Sequence, residues 1–238
     1  MGASLSDRPP LLRVGHAIVS AQKGLETLAA RLRGATWDMV ELDVLRHQGR
    51  LVVAHDPGDL NDGASPIGFA HALGQLVDLV EPSVRFDIDI KATGYEHEVA
   101  TAIADAAITE RTLVSTMERS SLAALRHLTP ELTLGLSVPL ARRDYLAHPL
   151  TRPGAYGMLA YLRRVLPARV ARALDTGEAD AVMAHWGVVT ERLVSAVRGR
   201  DAELFVWTVD DPGRLAALRT LGVTGVITNE RDLFDRVD

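Results

Sequence analysis

Residues 84–91 read Val-Arg-Phe-Asp-Ile-Asp-Ile-Lys. Apolar side chains at every second position make this a β-strand, and in a strand residues i and i+2 point to the same side. Asp87, Asp89 and Lys91 therefore share one face. Carboxylates in the middle of an apolar strand are costly unless they bind something. Three other apolar runs carry polar groups in a comparable way. Residues 11–15 lead into His16, residues 39–45 hold Glu41 and Asp43 on one face, and residues 51–54 lead into His55 and Asp56.

Outward from these four segments, runs rich in Val, Ile and Leu alternate with longer Ala/Leu/Arg segments of helical period. Strands are expected over 11–15, 39–45, 84–90, 112–115, 132–136, 181–184, 204–209 and 225–228. Residues 51–54 form an extra strand, folded back on 39–45 by the turn at His47-Gln48-Gly49. Helices are expected over 25–33, 66–80 and 96–107, in the later gaps, and over 231–237 at the close of the chain. Eight strand–helix units in 238 residues fit an α/β fold, a (β/α)8 TIM barrel forming a single domain over 1–238. An open doubly wound sheet is the alternative. His16, Asp43, Lys91, Trp207 and Asp210 follow or end different strands, and only a closed barrel gathers all those ends at one mouth.

Composition narrows the class. The chain is 47% hydrophobic and 24% charged, enough for a sizeable core. A net charge of −5 argues against a broad nucleic-acid surface, and the absence of Cys excludes disulfides and thiolate metal sites. No run approaches the ~18 apolar residues of a transmembrane segment, and the first residues lack the apolar core of a signal peptide. Met1-Gly2 with Ser6 matches a myristoylation pattern only superficially. A soluble, cytoplasmic protein is expected. One segment departs from the acidic whole: residues 139–172 contain seven Arg and one Asp, together with Tyr145, Tyr156 and Tyr161. It reads as a loop and a helix with a solvated basic face. The sharper reading is a lid or interfacial patch for an anionic, partly lipidic substrate.

Two histidines, clustered carboxylates and a lysine at strand ends are the equipment of a metal-assisted phosphodiester cleavage. A divalent cation and a Lys neutralise phosphate, and two His move protons at either end of the reaction. All-carboxylate ligand sets suit hard cations. His185, after the sixth main strand and before Trp186-Gly187, is placed to reach the mouth. Asp56 is expected to orient His55 or cap the next turn, and Asp87 to be a fourth acidic group or a partner of Lys91 or Arg85.

Read in order, Gly15-His16-Ala17, Glu41-Leu42-Asp43, His55-Asp56, Asp89-Ile90-Lys91, Val206-Trp207-Thr208-Val209-Asp210 and Gly225-Val226-Ile227-Thr228-Asn229 resemble the motifs of the glycerophosphodiester phosphodiesterase family. Those motifs are His-Arg-Gly, Glu-Leu-Asp, His-Asp, Glu-Ile-Lys, Val-Trp-Thr-Val-Asn-Asp and Gly-Ile-Ile-Thr-Asp. Any one would be weak alone; six in register cover nearly the whole chain. The resemblance implies that His16 and His55 are the acid/base pair. It implies that Glu41, Asp43 and Asp89 hold Mg²⁺ or Ca²⁺, that Lys91 contacts phosphate and that Trp207 walls the alcohol. The substrate implied is a small or lipid-derived phosphodiester, hydrolysed to an alcohol and a phosphomonoester of the glycerol 3-phosphate type.

The departures also carry information. Ala17 stands where the family has Arg, the usual Glu of the next helix falls on Leu25 with Glu26 displaced by one, and Asp89 replaces Glu. The missing Arg, the Asp at 89 and the closing Thr228-Asn229 are similar to the sphingomyelinase D/phospholipase D branch, which makes a lysophospholipid or sphingolipid the first rival substrate. A barrel that binds a phosphorylated ligand without turnover is the second rival. Retention of both His and all three acidic residues argues against it.

Overall fold

The computed structural model describes residues 10–19, 28, 32, 36–60, 66–139 and 152–237, without the side chains of 152–156. Nine strands form one sheet: β1 Leu12–Gly15, β2 Met39–His47, β3 Arg50–Val53, β4 Arg85–Ile90, β5 Thr112–Thr116, β6 Thr133–Val138, β7 Ala181–His185, β8 Glu203–Trp207 and β9 Gly225–Thr228. Every neighbouring pair is parallel except β2 with β3, and β1 pairs with both β9 and β2. The eight parallel strands thus close on themselves, and β3 is the hairpin arm on β2. This is the expected TIM barrel.

The described helices between strands are α1 Phe69–Leu79, α2 Glu96–Asp105, α3 Arg119–Leu128, α4 Arg152–Asp175, α5 Glu191–Arg198 and α6 Pro212–Leu221. The strand-facing residues of these helices, such as Leu73, Leu76, Val99, Leu122, Leu193 and Leu215, are buried with the outward residues of the strands in the main core. Thr190 and Asp211 cap α5 and α6 by accepting from Leu193 N and Arg214 N, the usual way an orphan helix-end N–H is satisfied.

Alternation along the strands sets what the barrel encloses. Val14, Met39, Leu113, Ala181, Met183, Phe205 and Ile227 form a separate inner cluster. At the N-terminal end of the strands, Arg85 makes a two-pronged pair with Glu203, each bond 2.7 Å. Gly225 permits the close packing of this layer, since a Cβ there would lie 2.7 Å from the Phe205 ring. Continuing along the same inward faces toward the C-terminal ends leads from Met39 to Glu41 and Asp43, from Met183 to His185, and from Phe205 to Trp207. The functional side chains are therefore the upper layer of a filled barrel.

Some boundaries differ from expectation. β8 ends at Trp207, not at 209, because the chain leaves the ladder to form the Asp210 turn; Val209 N still donates to Ile227 O. The closing segment holds only a short 3-10 turn over Phe234–Arg236. The helix expected over 25–33 and the displaced Glu26 lie almost wholly outside the described residues, as does the part 140–151 of the segment 139–172 read as a loop and helix or as a lid. Beyond it, α4 bears exposed Arg163, Arg164, Arg169 and Arg172. No described helix is long and apolar enough to cross a membrane.

Candidate active site

Glu41 and Asp43 are 4% and 2% exposed, on the inward face of β2, and lie in register beside Asp87 and Asp89 of β4. Four carboxylates on two adjacent strands in a buried layer repel one another and lose hydration. Lys91 answers part of this. Its Nζ lies 2.5 Å from Asp43 Oδ1 and 2.5 Å from Asp89 Oδ2. Burial works against the ammonium, but Asp89, Asp43 and Glu41 hold it firmly protonated.

The carboxylates diverge in consequence. Burial, then the charge of Asp43, pushes Glu41 well above the ordinary carboxylate range. Burial and Asp89 push Asp87 up to about 8, although it accepts a 2.7 Å bond from Ser115 Oγ. Asp89 is raised by burial despite Lys91. Burial also acts upward on Asp43, but Lys91, His55 and His16 together bring it below its usual value.

His16 follows β1 and is fixed by a chain of hydrogen bonds from the closing strands. Its Nδ1 is 2.8 Å from Asn229 Oδ1. Asn229 Nδ2 donates to Asp210 Oδ2 at 2.9 Å, and Asn229 N and Thr228 Oγ1 donate to Asp210 Oδ1. Burial alone would raise Asp210, but these donors hold it below the ordinary range, so it is an ionised acceptor. The amide oxygen must then face His16, and His16 Nδ1 carries the proton. Nε2 then faces the carboxylate cluster, 3.9 Å from Glu41 Oε2. The same Glu41 oxygen accepts from Ala17 N at 2.6 Å, with Ala17 in the left-handed region at φ 42°.

His55 lies at the outer rim with 61% of its side chain exposed. Asp56 Oδ2 is 3.7 Å from His55 Nδ1, while Asp56 Oδ1 accepts from Gly58 N, so Asp56 both faces the ring and caps the turn. Asp59 Oδ2 accepts from the backbone N of His55 and of Asp56, which pins the loop. On the opposite side, His185 and Trp207 sit across from one another on β7 and β8, with ring centroids 5.1 Å apart. His185 Nδ1 accepts from Gly187 N at 3.1 Å.

The residues fit a hard cation. Asp43 Oδ1 is buried beside the Lys91 ammonium, 2.5 Å away, and accepts no aligned hydrogen bond among the described residues. Ligand atoms of His16, Glu41 and Asp43 lie within 4.8 Å of one another. Asp89, expected to ligate alongside Glu41 and Asp43, shares the Lys91 ammonium with Asp43, each carboxylate oxygen lying 2.5 Å from Nζ. The residues whose roles sequence reading did not assign are Asp210 and Asn229. Both stand in the closing motifs, which was the available signal.

The comparisons agree with this architecture. The profile of the Glycerophosphoryl diester phosphodiesterase family matches residues 81–233. The chain belongs to this family. Its members are phosphoric diester hydrolases. The "Probable glycerophosphodiester phosphodiesterase 2" of Mycobacterium tuberculosis is 27% identical over 96% of this chain and 85% of its own length. The glycerophosphodiester phosphodiesterase GDPD4 of Arabidopsis thaliana is 33% identical over 40% of the chain, which spans 29% of that relative. Among solved structures, the glycerophosphodiester phosphodiesterase of Thermotoga maritima superposes with a TM-score of 0.64 at 16% identity, covering 97% of this chain and 99% of that one. An Oleispira antarctica phosphodiesterase in complex with the product sn-glycerol-3-phosphate superposes with a TM-score of 0.67 at 15% identity, covering 98% and 97%. At such identities the structures show the family's fold.

Proposed function

We propose that this protein is a metal-dependent phosphodiesterase. It would hydrolyse a glycerophosphodiester, or a related phospholipid-headgroup diester, to an alcohol and a phosphomonoester of the glycerol 3-phosphate type. The observation that carries the reading is the Asp210–Asn229–His16 chain, which directs Nε2 toward the carboxylate cluster. Glu41, Asp43 and Asp89 would hold Mg²⁺ or Ca²⁺, which would supply positive charge to the phosphoryl oxygens.

The chain's own groups do the rest. His16 Nε2 takes the proton of the attacking water, or of a neighbouring substrate hydroxyl, and Asn229 steadies the ring as it becomes charged. His55, at the rim with Asp56 beside it, gives a proton to the leaving oxygen. Lys91 adds a fixed positive charge beneath the phosphate. Trp207 and His185 line the side on which the alcohol lies. If a substrate hydroxyl attacks, a cyclic phosphate forms first.

A lysophospholipid headgroup is the second reading. It is favoured by the exposed Met158 and Tyr161 on the Arg-bearing helix α4.

The test is a panel of glycerophosphodiesters, lysophospholipids and a chromogenic phosphodiester, run with Mg²⁺, with Ca²⁺ and with a chelator. Turnover with added cation and its loss in chelator are expected. Absence of turnover on every diester in the presence of both cations would overturn the proposal.

A further inference from the structure

The aromatic side of the mouth continues outward from Trp207. Its neighbour His185 has its ring centroid 5.0 Å from that of Trp186, the first residue of the turn after β7. Over the Trp186 ring, 3.6 Å from its centroid, stands the guanidinium carbon of Arg214. Trp207, His185, Trp186 and Arg214 thus form a continuous row of contacts, edge-on between Trp207 and His185 and tilted between His185 and Trp186, from the inner face of β8 to the rim, ending in a cation.

Three features together make Arg214 available to an anion at the mouth. Its guanidinium is paired with no carboxylate among the described residues, whereas Arg85, Arg119, Arg126 and Arg200 all make short ion pairs. It is half-buried and its plane is held by the indole, so little freedom is lost when it forms a two-pronged bond. It also occupies the first turn of α6, where a positive charge works against the helix dipole and so does not serve the helix. The mouth's other fixed cation, Lys91, is already committed to Asp43 and Asp89.

We propose that Arg214, stacked on Trp186, is a specificity-determining residue that grips an anionic group, a phosphate or carboxylate, on the alcohol half of the diester. This rests on the phosphodiesterase reading. A diester whose phosphorus lies by His16 extends its alcohol across Trp207 and His185, and a terminal anion on that alcohol comes to the end of the row. A trimethylammonium group in the same place meets a like charge. The preferred substrates are then diesters whose alcohol half ends in a phosphate or carboxylate, and choline-type diesters are poor ones.

A matched pair of substrates provides the test: glycerophosphoglycerol, and the same compound with a phosphate on its terminal hydroxyl. The unmodified protein should show the lower KM for the phosphate-bearing diester. Arg214→Met keeps an apolar chain on Trp186 and removes the charge. It should raise KM for that diester by about 10- to 100-fold, the worth of a charge-assisted hydrogen-bond pair. It should leave kcat, and both constants for glycerophosphoglycerol, nearly unchanged. Arg214→Lys should recover part of the loss. Equal changes for both substrates would show Arg214 to be structural and overturn the proposal, as would an unmodified protein with no preference for the terminal phosphate. If neither diester is turned over, the phosphodiesterase reading fails by itself. The dissociation constants of the same two compounds, by calorimetry, then decide on Arg214: tighter binding of the phosphate-bearing one, lost in Arg214→Met, supports the grip, and equal binding rejects it.

Discussion

On the β2/β4 side of the mouth, Glu41, Asp43, Asp87 and Asp89 crowd around Lys91 below the rim, and three of the four carboxyls are pushed upward in pKa. On the β7/β8 side, the same upper layer holds His185 and Trp207, with Trp186 and Arg214 beyond. One wall stores electrostatic repulsion that a cation relieves. The other offers flat apolar surface with little net charge until its outer edge. In the proposed reaction the phosphate would lie against the first wall, where charge can be stabilised, and the variable alcohol against the second. Between the walls stand the two histidines, one fixed by three closing-strand residues and one exposed at the rim.

The largest effect expected from breaking this division comes from the groups between the walls. His16→Ala and His55→Ala should each lower turnover about 10²- to 10⁴-fold, because each removes a proton-transfer partner. Thermal melting should be nearly unaltered, since both side chains lie beyond strand ends. Near-normal kinetics in either variant would remove that histidine from the mechanism.

Next is the support of His16. Asp210→Asn frees the Asn229 amide to turn, so that nothing fixes the proton on His16 Nδ1. A fall in kcat of roughly 10- to 100-fold is expected, in the range seen for residues that orient an active group, with KM barely moved and the acidic limb of the pH–rate profile displaced. A variant that loses only stability, with an unmoved profile, would make Asp210 a strand-end brace.

The acidic wall predicts a pH dependence of metal binding. Without metal, Glu41 and Asp89 have raised pKa values, so they retain protons at pH values where an ordinary carboxylate is ionised. A cation must displace those protons, so affinity rises with pH, by up to about tenfold per unit for each proton released. Calorimetric titration with Mg²⁺ or Ca²⁺ in two buffers of different ionisation enthalpy measures the release directly. A pH-independent affinity would mean that these carboxyls are not the ligands.

The aromatic wall predicts the smallest change. Trp207→Leu should raise KM for bulky alcohols about 3- to 10-fold, the value of a lost aromatic contact, and leave kcat within twofold of its original value. A large kcat effect would move Trp207 from the wall to the reacting centre.

Much of this arrangement is legible in the order of the amino acids. Alternation in residues 84–91 puts Asp87, Asp89 and Lys91 on one face, and the register of β4 with β2 bears it out. The hairpin turn at His47-Gln48-Gly49 is present, with both Gln48 and Gly49 at positive φ. What the alternation does not convey is the pairing among the charges. The Lys91 ammonium bridges Asp43 and Asp89, a choice that depends on side-chain reach across two strands. Nor does it reveal Arg214, whose partner Trp186 lies on a different strand–helix unit.

The sequence by itself determined the strands, which face of each turned inward, and hence which polar residues reached the mouth. These follow from a period of two along a few consecutive residues. Only the tertiary structure decided that His16 is held by Asn229, 213 positions away, and through it by Asp210. That bond exists because β1 closes the barrel against β9 with Gly15 opposite Thr228. Register at closure is set by the packing of the whole ring of strands, and no local pattern records it.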